Sequence, residues 1–109
     1  MRDDPLTIQD LSTSDHKRVL KLTGPLTITN LFDFHKLVRT DSSPRLILDL
    51  TNVPFVDSAG VGALVGAYAH HQKAGQSVTL VGVNDRVRGL LKVMQADKFF
   101  RFVDSLQVV

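Results

Sequence analysis

Two short apolar runs, 46-LILDL-50 and 78-VTLVG-82, flank a segment whose apolar residues recur at helical spacing, and this arrangement constrains the chain more than any other feature. Runs of this length bounded by turn residues read as strands. A helix between two strands returns the chain in the same direction, so the unit is a parallel β-α-β crossover of right-handed sense. The run 46-LILDL-50 is apolar everywhere except Asp49, the pattern of a central strand covered on both faces.

The pattern extends in both directions. Leu6 and Ile8, then Val19, Leu20 and Leu22, predict two strands joined through 12-STSDHK-17 as a hairpin at the sheet edge. After Gly24-Pro25, the residues Thr27, Thr29 and Asn30 offer N-caps to a helix carrying Leu31, Phe34, Leu37 and Val38, which Ser42, Ser43 and Pro44 end. A second helix is expected from about Ser58 to Lys73, stopped at Gly75. Asn84 or Asp85 caps a third, whose stripe is Val87, Leu90, Leu91 and Met94. Phe100, Phe102 and Val103 close the chain with a short strand. The expectation is an α/β fold, order β-β-α-β-α-β-α-β, with a mixed, largely parallel sheet. At 109 residues it is one domain, 1–109, with a core over about 6–105.

Composition excludes several function classes. Without cysteine there is no disulfide framework, thiolate catalyst or Cys-type zinc site. The formal charge of +2 is scattered along the chain, giving nucleic-acid binding little support, and Arg86, Arg88, Lys92, Lys98 and Arg101 read as a solvated face. The start MRDDPLTIQD lacks the apolar core of a signal peptide, and no apolar run reaches the roughly 20 residues of a membrane span. The expected location is the cytoplasm, without a membrane partner.

Function turns on the stretch 55-FVDSAGVGALVG-66, which joins a strand to a helix. Its glycines suggest a dinucleotide fingerprint, but Gly60-x-Gly62-x-x-x-Gly66 is one residue too long and too little chain follows for that fold. No Gly-Lys-Ser or Gly-Lys-Thr supplies a Walker loop. Ser58 is flanked by Asp57 and Ala59 rather than by the glycines of a hydrolase elbow. Of the four histidines, His16 and His35 precede it, while the adjacent His70 and His71 point about 100° apart and cannot clamp one metal; all four read as surface residues. No catalytic residue, metal or cofactor is expected, and the chain is not read as an enzyme.

On the second helix Val61, Leu64, Val65 and Tyr68 share one side, expected to be core. Opposite fall Ala59, Gly62, Ala63, Gly66 and His70, a face almost without side chains, although a glycine within a helix costs about 1 kcal/mol relative to alanine. Such a face suits either close packing inside the domain or a partner protein laid against it. Ser58, at the top of this helix, suits a plain N-cap equally well.

The run from Arg45 to Ser105 resembles the STAS domain of bacterial anti-sigma factor antagonists. The likeness rests on an apolar strand ending in Asp-Leu, a hydrophobic-Asp-Ser-x-Gly-hydrophobic-Gly helix start, a glycine after that helix, a Val-Gly strand end and a Phe-rich last strand. Upstream, 19-VLKLTGPLTITN-30 resembles the family's second strand and Gly-x-Leu turn. The resemblance implies that Ser58 is phosphorylated by a partner that is both anti-sigma factor and serine kinase. It implies that the unphosphorylated chain binds this partner and releases the sigma factor, and that a serine phosphatase restores binding. Asp57, Ala59, Gly60, Gly62, Ala63 and Gly66 are then the expected partner-binding residues. Two departures stand out: Thr27 occupies a position that many members make acidic, and after 104-DSLQVV-109 the additional C-terminal helix is expected to be absent. STAS domains also serve as scaffold subunits of stress-sensing complexes and as cytoplasmic subunits of lipid or anion transport systems, which is the alternative.

Overall fold

The computed structural model describes residues 5–12, 14, 16–41 and 43–108. Strands β1 (Thr7–Asp10), β2 (Lys17–Thr23), β3 (Arg45–Asn52), β4 (Ser77–Val81) and β5 (Arg101–Val103) form one sheet in that spatial order. The β1–β2 pair is antiparallel and the other pairs are parallel. Helices α1 (Phe32–Thr40), α2 (Ser58–Lys73) and α3 (Asp85–Val93) fill the connections. The expected order β-β-α-β-α-β-α-β therefore holds, with single 3-10 turns added at Asp97–Phe99 and Leu106–Val108. Thr13 and Asp15 of the expected hairpin turn, and Ser42 after α1, lie outside the described residues.

Side chains alternate across each strand, so the sheet has two faces with different covers. Leu20, Leu22, Leu46, Leu48, Leu50 and Leu80 belong to the main core, together with Phe34 and Val38 of α1, Val61, Leu64 and Ala67 of α2, and Val87 and Leu91 of α3. All three helices thus lie on one face. Val19, Ile47 and Val81 point the other way into a smaller cluster closed by Leu11, Val103 and Leu106. The expectation for β3 holds, since it is buried on both faces, and only one of the two covers is helical. Asp49, 5% exposed on the second face, accepts hydrogen bonds from the Thr51 amide (3.0 Å) and hydroxyl (2.6 Å).

Local chemistry accounts for most element boundaries. α1 starts without a side-chain cap. Asn30, an expected cap, instead accepts from the Thr27 amide (2.8 Å) and donates to the Pro25 carbonyl (2.7 Å), closing the turn between β2 and α1. α2 ends as expected before Gly75, whose φ of 72° suits glycine, and Gln76 donates to the His71 carbonyl at 2.8 Å. Of the two candidate caps for α3, Asn84 takes the role, accepting from the Val87 amide at 2.8 Å. Met94 departs from the expected stripe and is 41% exposed, because α3 ends at Val93 and Gln95 turns the chain with φ 57°; Ala96 enters the core instead.

Candidate functional site

The Asp-Ser pair sits where the link after β3 crosses the turn before α1. Leu26 and Val56 form a short parallel bridge there: the Leu26 amide donates to the Phe55 carbonyl at 3.2 Å and the Asp57 amide to the Leu26 carbonyl at 3.3 Å. Asp57 is the N-cap of α2, its Oδ1 accepting from the Gly60 amide at 2.8 Å, and its Oδ2 accepts from the Ile28 amide at 3.1 Å. One carboxylate therefore ties the helix start to the neighbouring turn. Gly60 is required by this closeness, since a Cβ there would collide with the Leu26 carbonyl oxygen.

Ser58 is the first residue of α2 and is exposed. Because Asp57 does the capping, the exposed Ser58 is free of that duty. The Gly60 and Val61 amides are already bonded to Asp57, through its Oδ1 and its carbonyl (3.0 Å). A small cavity of about 160 Å³ lies alongside, lined by Thr27, Ile28, Thr29, Phe55 and Asp57. Among its lining residues Ile28 is a bare apolar side chain, 69% exposed; Phe32 at the start of α1, 74% exposed, lines a separate depression with His35, Lys36, Arg39 and Thr40. The Arg86 guanidinium lies over the Phe55 ring, 5.0 Å from its centre.

The expected phosphorylation site and partner-binding residues separate by exposure. Ser58, Gly62 and Gly66 are exposed on the outer side of α2, and Asp57 and Ala59 are half-buried at its start. Gly60 and Ala63 are buried, so they do not belong to the outer face. The buried stripe of α2 is rotated toward its small residues: Val61 and Leu64 are core as expected, but Val65 and Tyr68 are only half-buried, and Ala67 and His71 are buried in their place. Ala63 and Ala67 face inward, where small side chains allow α2 to approach the sheet closely, while Gly60 is set by the Leu26 carbonyl. Around Gly62 and Gly66, apart from their chain neighbours and the helix's own backbone, no heavy atom lies within 4 Å of where a Cβ would stand.

His71 corrects the expectation that every histidine is a surface residue, for it is fully buried. Its Nδ1 lies 2.9 Å from the Ala67 carbonyl oxygen and its Nε2 2.7 Å from Asp41 Oδ2. Ser43 donates to the same carboxylate at 2.8 Å, and Arg18 Nη1 approaches it at 3.4 Å. The network joins β2, α2 and the segment after α1. It is remote from Ser58 in sequence and on α2, and nothing in the residue pattern announces it beyond a lone histidine next to another. The other residues missed by sequence reasoning are Ile28 and Phe32, whose only advance signal is an apolar side chain in a polar turn and at a helix start. Among the described residues no group of acidic or histidine side chains is arranged to hold a metal, and no helix is long and apolar enough to cross a membrane.

Comparison with known proteins places this geometry among relatives. An anti-sigma-B factor antagonist of Staphylococcus aureus is 26% identical over 87 residues, spanning 77% of this chain and 81% of that protein. The crystal structure of an anti-sigma factor antagonist from Mycobacterium paratuberculosis superposes with a TM-score of 0.81 at 22% identity, covering 94% of this chain and 89% of that one. The Bacillus cell fate determinant SpoIIAA in its phosphorylated form gives a TM-score of 0.74 at 15% identity, covering 94% of this chain and 96% of that one. These superpositions establish the fold, and the STAS domain family matches residues 9–108, so that with nearly its whole length matched the chain belongs to the STAS domain family.

Proposed function

We propose that this protein is an anti-sigma factor antagonist whose binding is switched at Ser58. The unphosphorylated chain docks on an anti-sigma factor that is also a serine kinase and frees the sigma factor. Phosphate on Ser58 ends the docking, and a serine phosphatase restores it. The chain is the substrate of this chemistry and contributes no catalytic group. The observation that carries the reading is the exposed Ser58 at the first residue of α2, relieved of capping by Asp57 and adjoining the apolar cleft of Ile28 and Phe55. The names of the relatives supply the partner class.

Electrostatics supports the direction of the switch. A phosphoserine carries about −1.5 to −2 charges at neutral pH, and here it arrives next to the Asp57 carboxylate at the rim of an apolar contact. Repulsion and desolvation both oppose docking. The positive end of the α2 dipole offsets part of the charge, so the phosphorylated domain stays folded. The test is to mix the purified chain with each serine-kinase anti-sigma factor of its source organism, with and without ATP. A complex that forms without ATP and dissolves as one phosphate accumulates on Ser58 is the expected result. The reading falls if none of these kinases binds the chain, or if the fully phosphorylated chain binds as well as the unmodified one.

A further inference from the structure

We propose that the fold stores a proton: His71 is held as an imidazolium in a buried ion pair with Asp41, and this pair is a pH-sensitive latch fastening the end of α2 to the chain after α1. The inference is independent of the Ser58 switch, since His71 lies in the last turn of α2 and Ser58 in the first.

The protonation state follows from what each ring nitrogen faces. Nδ1 lies 2.9 Å from the Ala67 carbonyl oxygen, which can only accept, so Nδ1 carries a hydrogen. Nε2 lies 2.7 Å from Asp41 Oδ2, and a neutral imidazole has no second hydrogen to give it. Either the ring is doubly protonated beside a carboxylate, or Asp41 carries the proton as a carboxylic acid. Arg18 decides between the two, because its guanidinium stands 3.4 Å from Asp41 Oδ1 and a positive charge there suits the carboxylate. Ser43 donates to the same group, 2.9 Å from Oδ1 and 2.8 Å from Oδ2.

Charge balance points the same way. Arg18 is shared between two carboxylates, since its Nε also stands 3.0 Å from Asp10 Oδ2. The Asp41 side chain is 3% exposed and that of His71 0%, so a carboxylate served only by the shared arginine would be buried short of charge. The imidazolium is the missing cation, and it completes an alternating row of Asp10, Arg18, Asp41 and His71. The other titratable groups around the pair add no buried charge. His70 places Nε2 3.3 Å from the Asp41 carbonyl oxygen, a contact that one N–H satisfies. His35 and Arg39 of α1 border, with Lys73, the depression outside His70. β4 contains no titratable residue, and Asp49 of β3 is on the opposite face, bonded to Thr51. Lys17 lines, with Arg18, Asp41 and Ser43, an open cavity of about 620 Å³ through which the pair exchanges protons with water.

Loss of the ring proton removes one of the two hydrogen bonds and leaves Asp41 short of charge, so the latch opens as pH rises. The direction is set by the proton count. Histidine in an unfolded chain gives up its proton near about pH 6.5, and above that the folded chain holds one proton more than the unfolded chain. The stability contributed by the pair is therefore complete below that pH. It falls as pH rises, by up to about tenfold in the folding constant per pH unit, until the folded ring has also lost its proton. The released segment is the one the pair locks: the His71 carbonyl accepts from the Ala74 and Gln76 amides at 3.2 and 2.8 Å, and the Ser77 amide donates to the Pro44 carbonyl, beside Ser43, at 3.1 Å.

The experiment is NMR of the whole chain with isotope-labelled histidine rings, read at the ring nitrogens across pH, with amide hydrogen exchange on the same samples. At neutral pH both nitrogens of His71 are expected to carry a directly bonded hydrogen. Once rising pH removes one, protection of the Ala74, Gln76 and Ser77 amides is expected to fall at least about 10-fold more than that of the Arg88 and Met94 amides, which are bonded within and at the end of α3. In Asp41→Asn the ring is expected to be neutral at neutral pH and the pH dependence of these amides to vanish, whereas a purely steric role for Asp41 would leave the ring's protonation unchanged. A wild-type His71 ring with one bare nitrogen at neutral pH overturns the proposal, whether or not Asp41→Asn folds. So does an α2 end that loses protection only together with α3.

Discussion

Asp57 and Ser58 divide two roles that the sequence alone allows either residue to hold. Both are good N-cap types, and the tie is broken by the Leu26–Val56 bridge, which brings the Ile28 amide to the second oxygen of Asp57. Asp57→Ala is therefore expected to lower stability by about 0.5–2 kcal/mol in urea unfolding, as for other lost caps. Ser58→Ala changes an exposed, non-capping side chain, so its unfolding midpoint should match wild type within about 0.5 kcal/mol. Its affinity for the kinase should be at least that of wild type, without release by ATP. Ser58→Asp puts a permanent charge beside Asp57 and is expected to weaken kinase binding by about 1 kcal/mol or more, measured by calorimetric titration. Equal affinity of Ser58→Asp and wild type would sink the switch. His71→Ala, by contrast, removes the partner of a buried carboxylate, and a loss of about 3–5 kcal/mol of stability is expected, with no direct effect at Ser58.

At the scale of an element, α2 carries three glycines whose reasons differ. Gly60 faces inward, where Gly60→Ala must push the Leu26 carbonyl away and loosen the link to the turn before α1. Gly62 and Gly66 face open space, so alanine at either is expected to raise stability by up to about 1 kcal/mol. Gly62→Leu should leave the melting transition intact while weakening partner binding, because the added side chain would occupy the face proposed for docking. Coupled loss of stability and retained binding in that variant would assign the face to internal packing. Leu64→Ala, in the core stripe on the opposite side, is expected to cost about 2–5 kcal/mol. The half-burial of Tyr68 has its own cause: its ring stacks on Phe99 at 4.9 Å and meets Phe100 edge-on at 6.0 Å, so it is covered by the 3-10 turn after α3, not by the sheet.

At the scale of the whole molecule, the three helices cover one face of the sheet and leave Ser58, Gly62 and Gly66 exposed on their outer side, away from the core. A charge added at Ser58 therefore changes the surface without entering the packing. The phosphorylated chain is expected to melt in the same cooperative transition as the unmodified chain while losing its partner, which differential scanning calorimetry and a pull-down on the same sample can compare. A broadened or strongly lowered transition would mean that phosphorylation acts by loosening the fold.

Element identity and order were legible in the sequence because they follow from local rules: the apolar run 46-LILDL-50, the helical spacing of Val87 and Leu91, and the turn residues Gly75 and Asn84 each act over a few residues. The Asp-Ser-x-Gly start of α2 and its place after a strand were legible for the same reason. What tertiary structure decided was which side of each element is buried, because that depends on what lies opposite. Small residues under α2 rotated its core stripe onto Ala63, Ala67 and His71. The three helices gathered on one face and left Val19, Ile47 and Val81 to a separate cluster. Ile28 and Phe32 stayed exposed in spite of their apolar character, and Asp41 met His71 from thirty positions away in the chain. Periodicity marks an apolar side without naming its neighbour, and burial is a property of the pair.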